Sequence, residues 1–389
     1  GVVFPNQGLY TTTVGGLIDM KEQLVQVSGK KDLQVLILTD GYNIHHLSGY
    51  RGHTGMLVAF QGEQYILTDS RYTEQVELEA PEFTCVDIGR EGYSKTIAAM
   101  VQKAFAKEGR STLRIGFENK EISYMQYQAF VDTFAKELTG MQVEFVPLED
   151  AVNVYREVKT EDEIAKLARA EQIGDEAFTE IVKFIHENWK DGLTEQRVAL
   201  QLEYEMRLRG AEGTSFDTIA ASGSNSSLPH AMPQPKLLTE GDFLTMDFGC
   251  MYQGYCSDMT RTIHIGEVVE SEQKKVYDTV LQAQLAALSV VKPGMVCSDV
   301  DKCARDIIAD AGYGDYFGHG LGHSVGLFIH EEPRFSMKCD AVLKPGVVIT
   351  VEPGIYLPGR FGVRIEDMIV VTEDGYQNLA SSPKELICV

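Results

Sequence analysis

Two aspartates in one strand–turn–strand stretch constrain this chain more than any other feature. In residues 241–263, GDFLTMDFGCMYQGYCSDMTRTI, Leu244, Met246 and Phe248 alternate with Thr245, Asp247 and Gly249, the period of a strand with one buried face. Tyr252, Gln253 and Gly254 read as a tight turn and residues 255–263 as the returning strand. A hairpin folded about the 252/253 point sets Asp247 across from Asp258, and cross-strand Cβ atoms lie roughly 4.5–5.5 Å apart. Two carboxylates that close repel unless a proton or a cation sits between them, and a pair of divalent ions about 3.5–4 Å apart would engage both. Two solvent-facing aspartates on an amphipathic hairpin are the alternative, so the rest of the chain has to decide.

At 389 residues the chain has room for two ordinary domains. Its 57 acidic against 35 basic residues, a formal charge of −22, argue against a nucleic-acid surface or an anionic membrane as partner. The charge suits a cytoplasmic protein and a substrate with a free amine. No apolar run approaches the roughly 18–20 residues of a membrane span. The opening GVVFPNQGLYTTTVGG lacks a basic stretch followed by an apolar one, so no signal peptide is expected. Seven cysteines, scattered and without a CxxC pair, fit reduced thiols better than a disulfide framework; Cys250 and Cys256 flank the turn and read as small packing residues.

Residues 1–155 read as a first domain. Strand-like runs at 33–38, 55–60 and 64–68, with a turn at Gly62, interleave with helical spacing at 94–108 and 124–138, the pattern of an α/β layer domain. His45, His46 and His53 are not at metal-ligand spacing, and adjacent histidines on an extended segment point to opposite faces, so structural or surface roles are expected for all three. Arg71 follows a strand end and is a candidate for a substrate carboxylate. Near residue 155 the pattern changes. Thr160 and Glu163 form a capping box for a long amphipathic helix, and Thr194 caps a second. A similar pair recurs, from Ser271 to Val291 and from Ser298, with Asp301, to Ala311. The order helix, helix, strands occurring twice suggests two similar halves around one site in residues 156–389.

Four segments carry histidine or carboxylate in unusual surroundings. His230 sits in a loop of small residues between Pro229 and Pro233, which stiffen it; a surface histidine is the plain alternative. His319, His323 and His330 fall within twelve residues among glycines that let backbone approach a ligand, and neutral imidazole suits first-row metals. Glu352 and Glu366 each interrupt a β-branched strand, where a lone buried carboxylate is disfavoured unless paired or metal-bound. A turn centred on Gly359 sets Glu352 opposite Glu366, and Arg364 on the same face could orient one of them, an ion pair being the alternative. Two aspartates, two glutamates and a histidine make a mostly oxygen site for Mn²⁺, Co²⁺ or Zn²⁺. The chemistry implied is hydrolysis.

The order Asp247, Asp258, His323, Glu352, Glu366, with flanks MDFG, SDMTRT, HGLGH, EPGIY and RIED, resembles the pita-bread metallopeptidases: proline-specific aminopeptidases, prolidases and methionine aminopeptidases. The resemblance spans essentially the whole chain. It implies a creatinase-type α/β N-terminal domain followed by an α+β pita-bread domain with pseudo-twofold halves. It further implies two divalent metal ions, Mn²⁺ being expected ahead of Co²⁺ or Zn²⁺. Asp247 would chelate one ion and His323 the other, with Asp258 and Glu366 serving both. Glu352 would be a ligand and the general acid/base. His230 and His330 would hold substrate and the tetrahedral intermediate, His319 would line a proline pocket, and Arg364 would support the last glutamate from behind. The reading this favours is an Xaa-Pro aminopeptidase, a homodimer acting by metal-bridged hydroxide on peptides with proline second. An Xaa-Pro dipeptidase, which needs a cation for the product carboxylate, is the nearest alternative, with Arg71 and Arg51 as the candidate cations. A creatinase-like or non-catalytic member of the fold is a further one. Glu331-Glu-Pro after His330 is a shape nearer the methionine aminopeptidases.

Overall fold

The computed structural model describes residues 10–13 and 16–389, with side chains from Lys21 onward. Residues 1–9 and 14–15, within the stretch where no leader was expected, lie outside the described residues. The chain divides into two compact units between Arg156 and Glu157.

In the first unit, six strands form one mixed sheet in the order Thr84–Asp87, Glu63–Thr68, Met56–Phe60, Val35–Leu38, Thr112–Phe117, Gln142–Pro147. Alternation along Val35–Leu38 feeds two cores. Val35 and Ile37 pack with Ile97, Val101, Phe130 and Phe134 of the helices Gly92–Phe105 and Tyr124–Glu137. Leu36 and Leu38 pack with Leu24, Ile44 and Leu47 on the other face. A fully apolar strand is what a sheet covered by helices on both faces requires. Gly62 turns the hairpin at φ 81°. One expectation fails here: His45 and His46 lie in the helix Gly41–Ser48 rather than on an extended segment. Asp40 caps that helix by accepting from the Tyr42 amide, and a helix puts adjacent residues about 100° apart rather than on opposite faces. His46 is buried, its Nε2 3.1 Å from Gln23 Oε1.

The second unit carries two helix pairs. The helix Glu161–Asn188 begins with the reciprocal Thr160–Glu163 box, and Thr194 caps Glu195–Leu208. In the later pair, Glu270 and Gln273 form the box of Ser271–Val290, while Cys297–Asp310 starts after Val296 rather than at Ser298; Asp301, expected in that cap, is buried and pairs with Arg305 instead. Each pair covers its own sheet. The first packs on Ile219–Ser222, Phe243–Phe248 and Met259–His264 through Phe178, Leu202, Met246 and Phe248. The second packs through Val280, Ala304 and Ile308 on the sheet that includes Val348–Val351 and Asp367–Val371. The sheets meet where the Glu366 amide donates to Thr260 O at 3.1 Å. All seven cysteines are free, with Cys250 and Cys256 buried. Among the described residues, no helix is long and apolar enough to cross a membrane.

Candidate metal centre

The aspartate hairpin forms, two positions out of the expected register. Met251 pairs with Cys256 and Tyr252 with Tyr255, so the turn is Gln253–Gly254. Both turn residues have positive φ, 49° and 84°, the conformation that a two-residue hairpin loop needs at both central positions. Asp247 therefore lies opposite Thr260, and Asp258 falls one residue beyond the Phe248–Met259 pair. Because strand faces repeat every second residue, a slip of two keeps Asp258 on the Asp247 face as a diagonal neighbour.

The glutamate arm keeps one register about Gly359. Gly354 pairs with Arg364 and Val351 with Asp367, which brackets Glu352 against Glu366. His323 comes from the short strand Gly322–Ser324, where a bulge shifts the register between His323 and Ser324; such bulges re-aim a side chain.

These elements bring Asp258, His323 and Glu366 together with one ligand atom each, all within 4.8 Å of one another. His323 Nε2 lies 3.4 Å from Asp258 Oδ2 and 3.3 Å from Glu352 Oε1. Its Nδ1 donates to Ser324 O at 3.1 Å, which leaves Nε2 as the ligand atom. The Thr350 hydroxyl accepts from the His323 amide and donates to Glu352 Oε1, both at 3.1 Å. Asp247 Oδ1 and Glu366 Oε1 are buried with no hydrogen-bond partner. Orphaned carboxylate oxygens beside an imidazole nitrogen that faces two further carboxylates are the donor set a divalent cation would take up, so the residues fit the metal the pattern predicts.

The charges are mutually unfavourable without such an ion. Burial lifts the Asp258 carboxyl to about 6, the Asp247 charge adding to it against the His323 hydrogen bond. Burial likewise lifts Glu352 to about 7 and pushes Glu366 well above the usual range. Burial opposes charge on His323, but the Asp258 hydrogen bond and the Glu352 field hold the ring protonated up to about 9.

Arg364 is the organising cation, and it does not orient a glutamate directly as expected. Its Nη2 donates to Asp247 Oδ2 at 2.6 Å, and its Nε reaches the Thr260 hydroxyl, which in turn donates to Glu366 Oε2 at 2.6 Å. Asp247 stands on a facing strand within reach of Nη2, so the guanidinium pairs there and serves Glu366 through Thr260. Its Nη1 donates to Tyr356 OH at 2.8 Å and to Pro229 O at 3.2 Å. His319 joins this network: Nδ1 donates to Gly320 O and Nε2 accepts from Tyr356 OH, both at 2.8 Å. Burial and the Arg364 charge hold that ring neutral, down to about 4. The His330 ring centroid lies 4.5 Å from that of His323, and His230 is exposed on its loop. Arg71, on the first unit, forks onto Asp69 through Nε and Nη2, both at 2.8 Å.

Sequence reasoning missed Thr260, Thr350, Tyr356 and Arg334. Thr260 and Tyr356 stood in the quoted flanks, and Thr260 is the true cross-strand partner of Asp247, which only the correct turn would have revealed. Arg334 is the cross-strand partner of His323, a pairing hidden behind the bulge.

Residues 165–373 match the model of metallopeptidase family M24, and residues 21–158 match the creatinase/prolidase N-terminal domain. The chain is 37% identical over 366 residues to an Xaa-Pro dipeptidase of Pyrococcus furiosus, covering 94% of this chain and 99% of the relative. Among solved structures it is similar to an Xaa-Pro dipeptidase from Bacillus anthracis, with TM-score 0.85, 38% identity and coverage of 95% and 99%. It is also similar to an X-Pro aminopeptidase from Thermotoga maritima, with TM-score 0.81, 35% identity and coverage of 94% and 100%. Matching models over nearly the whole length, on a chain whose buried carboxylates converge with an imidazole, lead to one conclusion: it belongs to metallopeptidase family M24, the pita-bread peptidases, and carries their creatinase/prolidase-type N-terminal domain.

Proposed function

We propose that this chain is a metal-dependent Xaa-Pro dipeptidase, in place of the aminopeptidase reading that its motifs first favoured. The observation that carries it is the setting of Arg334. As the cross-strand partner of His323 it stands on the same sheet face. Among the described residues its polar partner is Glu332, in an exposed ion pair, and such a pair is worth little. That face therefore offers a cation for the free carboxylate of a dipeptide, the group the dipeptidase alternative required. The names carried by the Pyrococcus furiosus and Bacillus anthracis relatives support the same choice.

Asp247, Asp258, His323, Glu352 and Glu366 would hold two divalent ions, Mn²⁺ ahead of Co²⁺ or Zn²⁺. Ions bound there supply Lewis acidity at the scissile carbonyl and an activated water near neutral pH. Arg364 fixes the Asp247 carboxylate, and Thr260 fixes Glu366. Glu352, within 3.3 Å of His323 Nε2, would take the proton from the attacking water and return it to the proline nitrogen as the bond breaks. The Xaa-Pro bond has no N–H to offer a peptidase, and this chemistry asks only for the carbonyl and a nitrogen that can be protonated. His230 and His330 would contact substrate. A homodimer in the cytoplasm belongs to the same reading.

Comparing kcat/KM on Xaa-Pro and Xaa-Pro-Yaa peptides with added Mn²⁺, Co²⁺ or Zn²⁺ tests it. Preference for the dipeptide is expected; strong preference for the longer peptide would restore the Xaa-Pro aminopeptidase, the second reading, which the Thermotoga maritima likeness favours. Arg334→Ala should raise KM for Xaa-Pro about tenfold or more, as loss of a charge-assisted contact does, and leave hydrolysis of an Xaa-Pro amide unchanged.

A further inference from the structure

The loop at 223–236 leaves the strand Ile219–Ser222, the neighbour of the Asp247 strand, and carries His230. It has little apolar core of its own: Leu228 and Met232 are exposed. Such a segment holds one conformation only if its polar groups are met from outside it.

One side chain meets two of them, together with two donors of Ser222, the strand residue from which the loop departs. Glu195, the first residue of the helix Glu195–Leu208, is fully buried. Its Oε1 accepts from the Ser222 amide at 2.6 Å and the Ser222 hydroxyl at 2.8 Å. Its Oε2 accepts from Asn225 Nδ2 at 2.8 Å and from the Gln234 amide at 2.9 Å. Donors from both ends of the loop thus close on one carboxylate. Lys236 braces the same base, donating to Ser222 O at 2.7 Å and to Asp242 Oδ2 at 3.0 Å. At the far end of the loop, Pro229 O accepts from Arg364, whose other nitrogen holds Asp247. His230 is the next residue. Its place is therefore set by Glu195 at the base, by Arg364 at the tip and, between them, by the Gly362 amide, which donates to Ser226 Oγ at 2.9 Å.

We propose that Glu195 is the positioning residue for His230, locking the 223–236 loop so that the imidazole faces the metal centre. A carboxylate is needed because all four partners are donors. The amide of a Gln keeps one accepting oxygen and turns an N–H₂ toward the other two donors.

The proposal rests on the dipeptidase reading for its kinetic arm alone. In Glu195→Gln, hydrogen exchange of the 222–236 amides should speed up about tenfold or more, while that of Val348–Val351 and Asp367–Val371 stays as in the parent. On an Xaa-Pro dipeptide with Mn²⁺, kcat/KM should fall about tenfold. In a His230→Ala background the same substitution should change kcat/KM by less than about twofold, a non-additivity that a merely structural defect would not produce. Mn²⁺ affinity should be unchanged. Equal losses in both backgrounds, no loss, a matching fall in Mn²⁺ affinity or unaltered exchange would each overturn it. Should Glu195→Gln not fold, Asn225→Ala removes a single donor and the same comparisons decide. A parent protein inactive on Xaa-Pro refutes the dipeptidase reading instead, and the exchange measurement then decides on Glu195.

Discussion

Asp247 is held from one side only: Oδ2 receives Arg364, and Oδ1 is buried without a partner. Arg364 spreads its contacts over Asp247, Thr260, Tyr356 and Pro229, a geometry that needs the planar fork of guanidinium. Arg364→Lys keeps the charge and loses the fork, so metal affinity should fall about 10–100-fold, the usual effect of removing a residue that orients a ligand. Metal titration of the purified variant reads this out, and parent-like affinity would show that Arg364 has no such role. Thr260→Val should cost about 1–3 kcal/mol of stability by leaving Glu366 Oε2 and Arg364 Nε unmet in a buried place. Thermal melts of the metal-free protein would show it, and an unchanged midpoint would mean that another group satisfies both atoms. At this scale the ligand candidates were legible in the sequence because buried strands rarely carry carboxylates without cause. Which partner each one takes was not. Arg364 could face a glutamate or an aspartate equally well until the strands were placed.

At the scale of elements, the aspartate hairpin depends on a close approach at its base. A Cβ built on Gly249 would lie 1.9 Å from Ser257 O and 2.4 Å from Ser215 Oγ. Gly249→Ala must push back the backbone just before Asp258. It should destabilise by at least about 1–3 kcal/mol, the usual cost of overpacking, and lower metal loading in the same protein. A melt and a metal analysis matching the parent would contradict this. The first helix pair of the second unit was readable from caps and period, since Thr160 with Glu163, and Thr194, act within one turn of chain. The hairpin register was harder. A tight turn at 252–254 was visible, but choosing its two central residues required knowing that Gln253 as well as Gly254 adopts positive φ. The result was the correct face with the wrong partner.

For the whole molecule, the buried cluster ties stability to pH and to metal together. In the unfolded chain Asp258 and Glu352 release their protons near 4, while in the folded metal-free form they hold them to about 6 and about 7. His323 loses its proton near 6.5 unfolded and near 9 folded. In each of these three the folded state binds more protons, and His319 and His330, neutral in the fold down to about 4, oppose them only below about 6.5, so metal-free stability should fall as pH rises from about 6.5 to about 9. Divalent ions displace those protons, and their stabilising effect should grow over the same interval. Melting with EDTA and with excess Mn²⁺ at pH 5, 7 and 9 tests both statements. A metal-free midpoint that rises from pH 7 to pH 9, or a metal-induced gain larger at pH 7 than at pH 9, would contradict the cluster as described.

The sequence alone determined that there are two units of mixed α/β type, where the helices after Thr160 and Thr194 begin, and which four carboxylates are candidate ligands, while the motif resemblance singled out His323. Those features follow from local periodicity, from capping chemistry and from the cost of burying lone charge, all of which act over a few residues. Only the tertiary structure decided that Arg364 serves Asp247, that Thr260 links it to Glu366, that Arg334 shares a face with His323, and that Glu195 closes the loop bearing His230. Each of these joins segments tens of residues apart. Their geometry is set by strand register and packing, which no local pattern specifies.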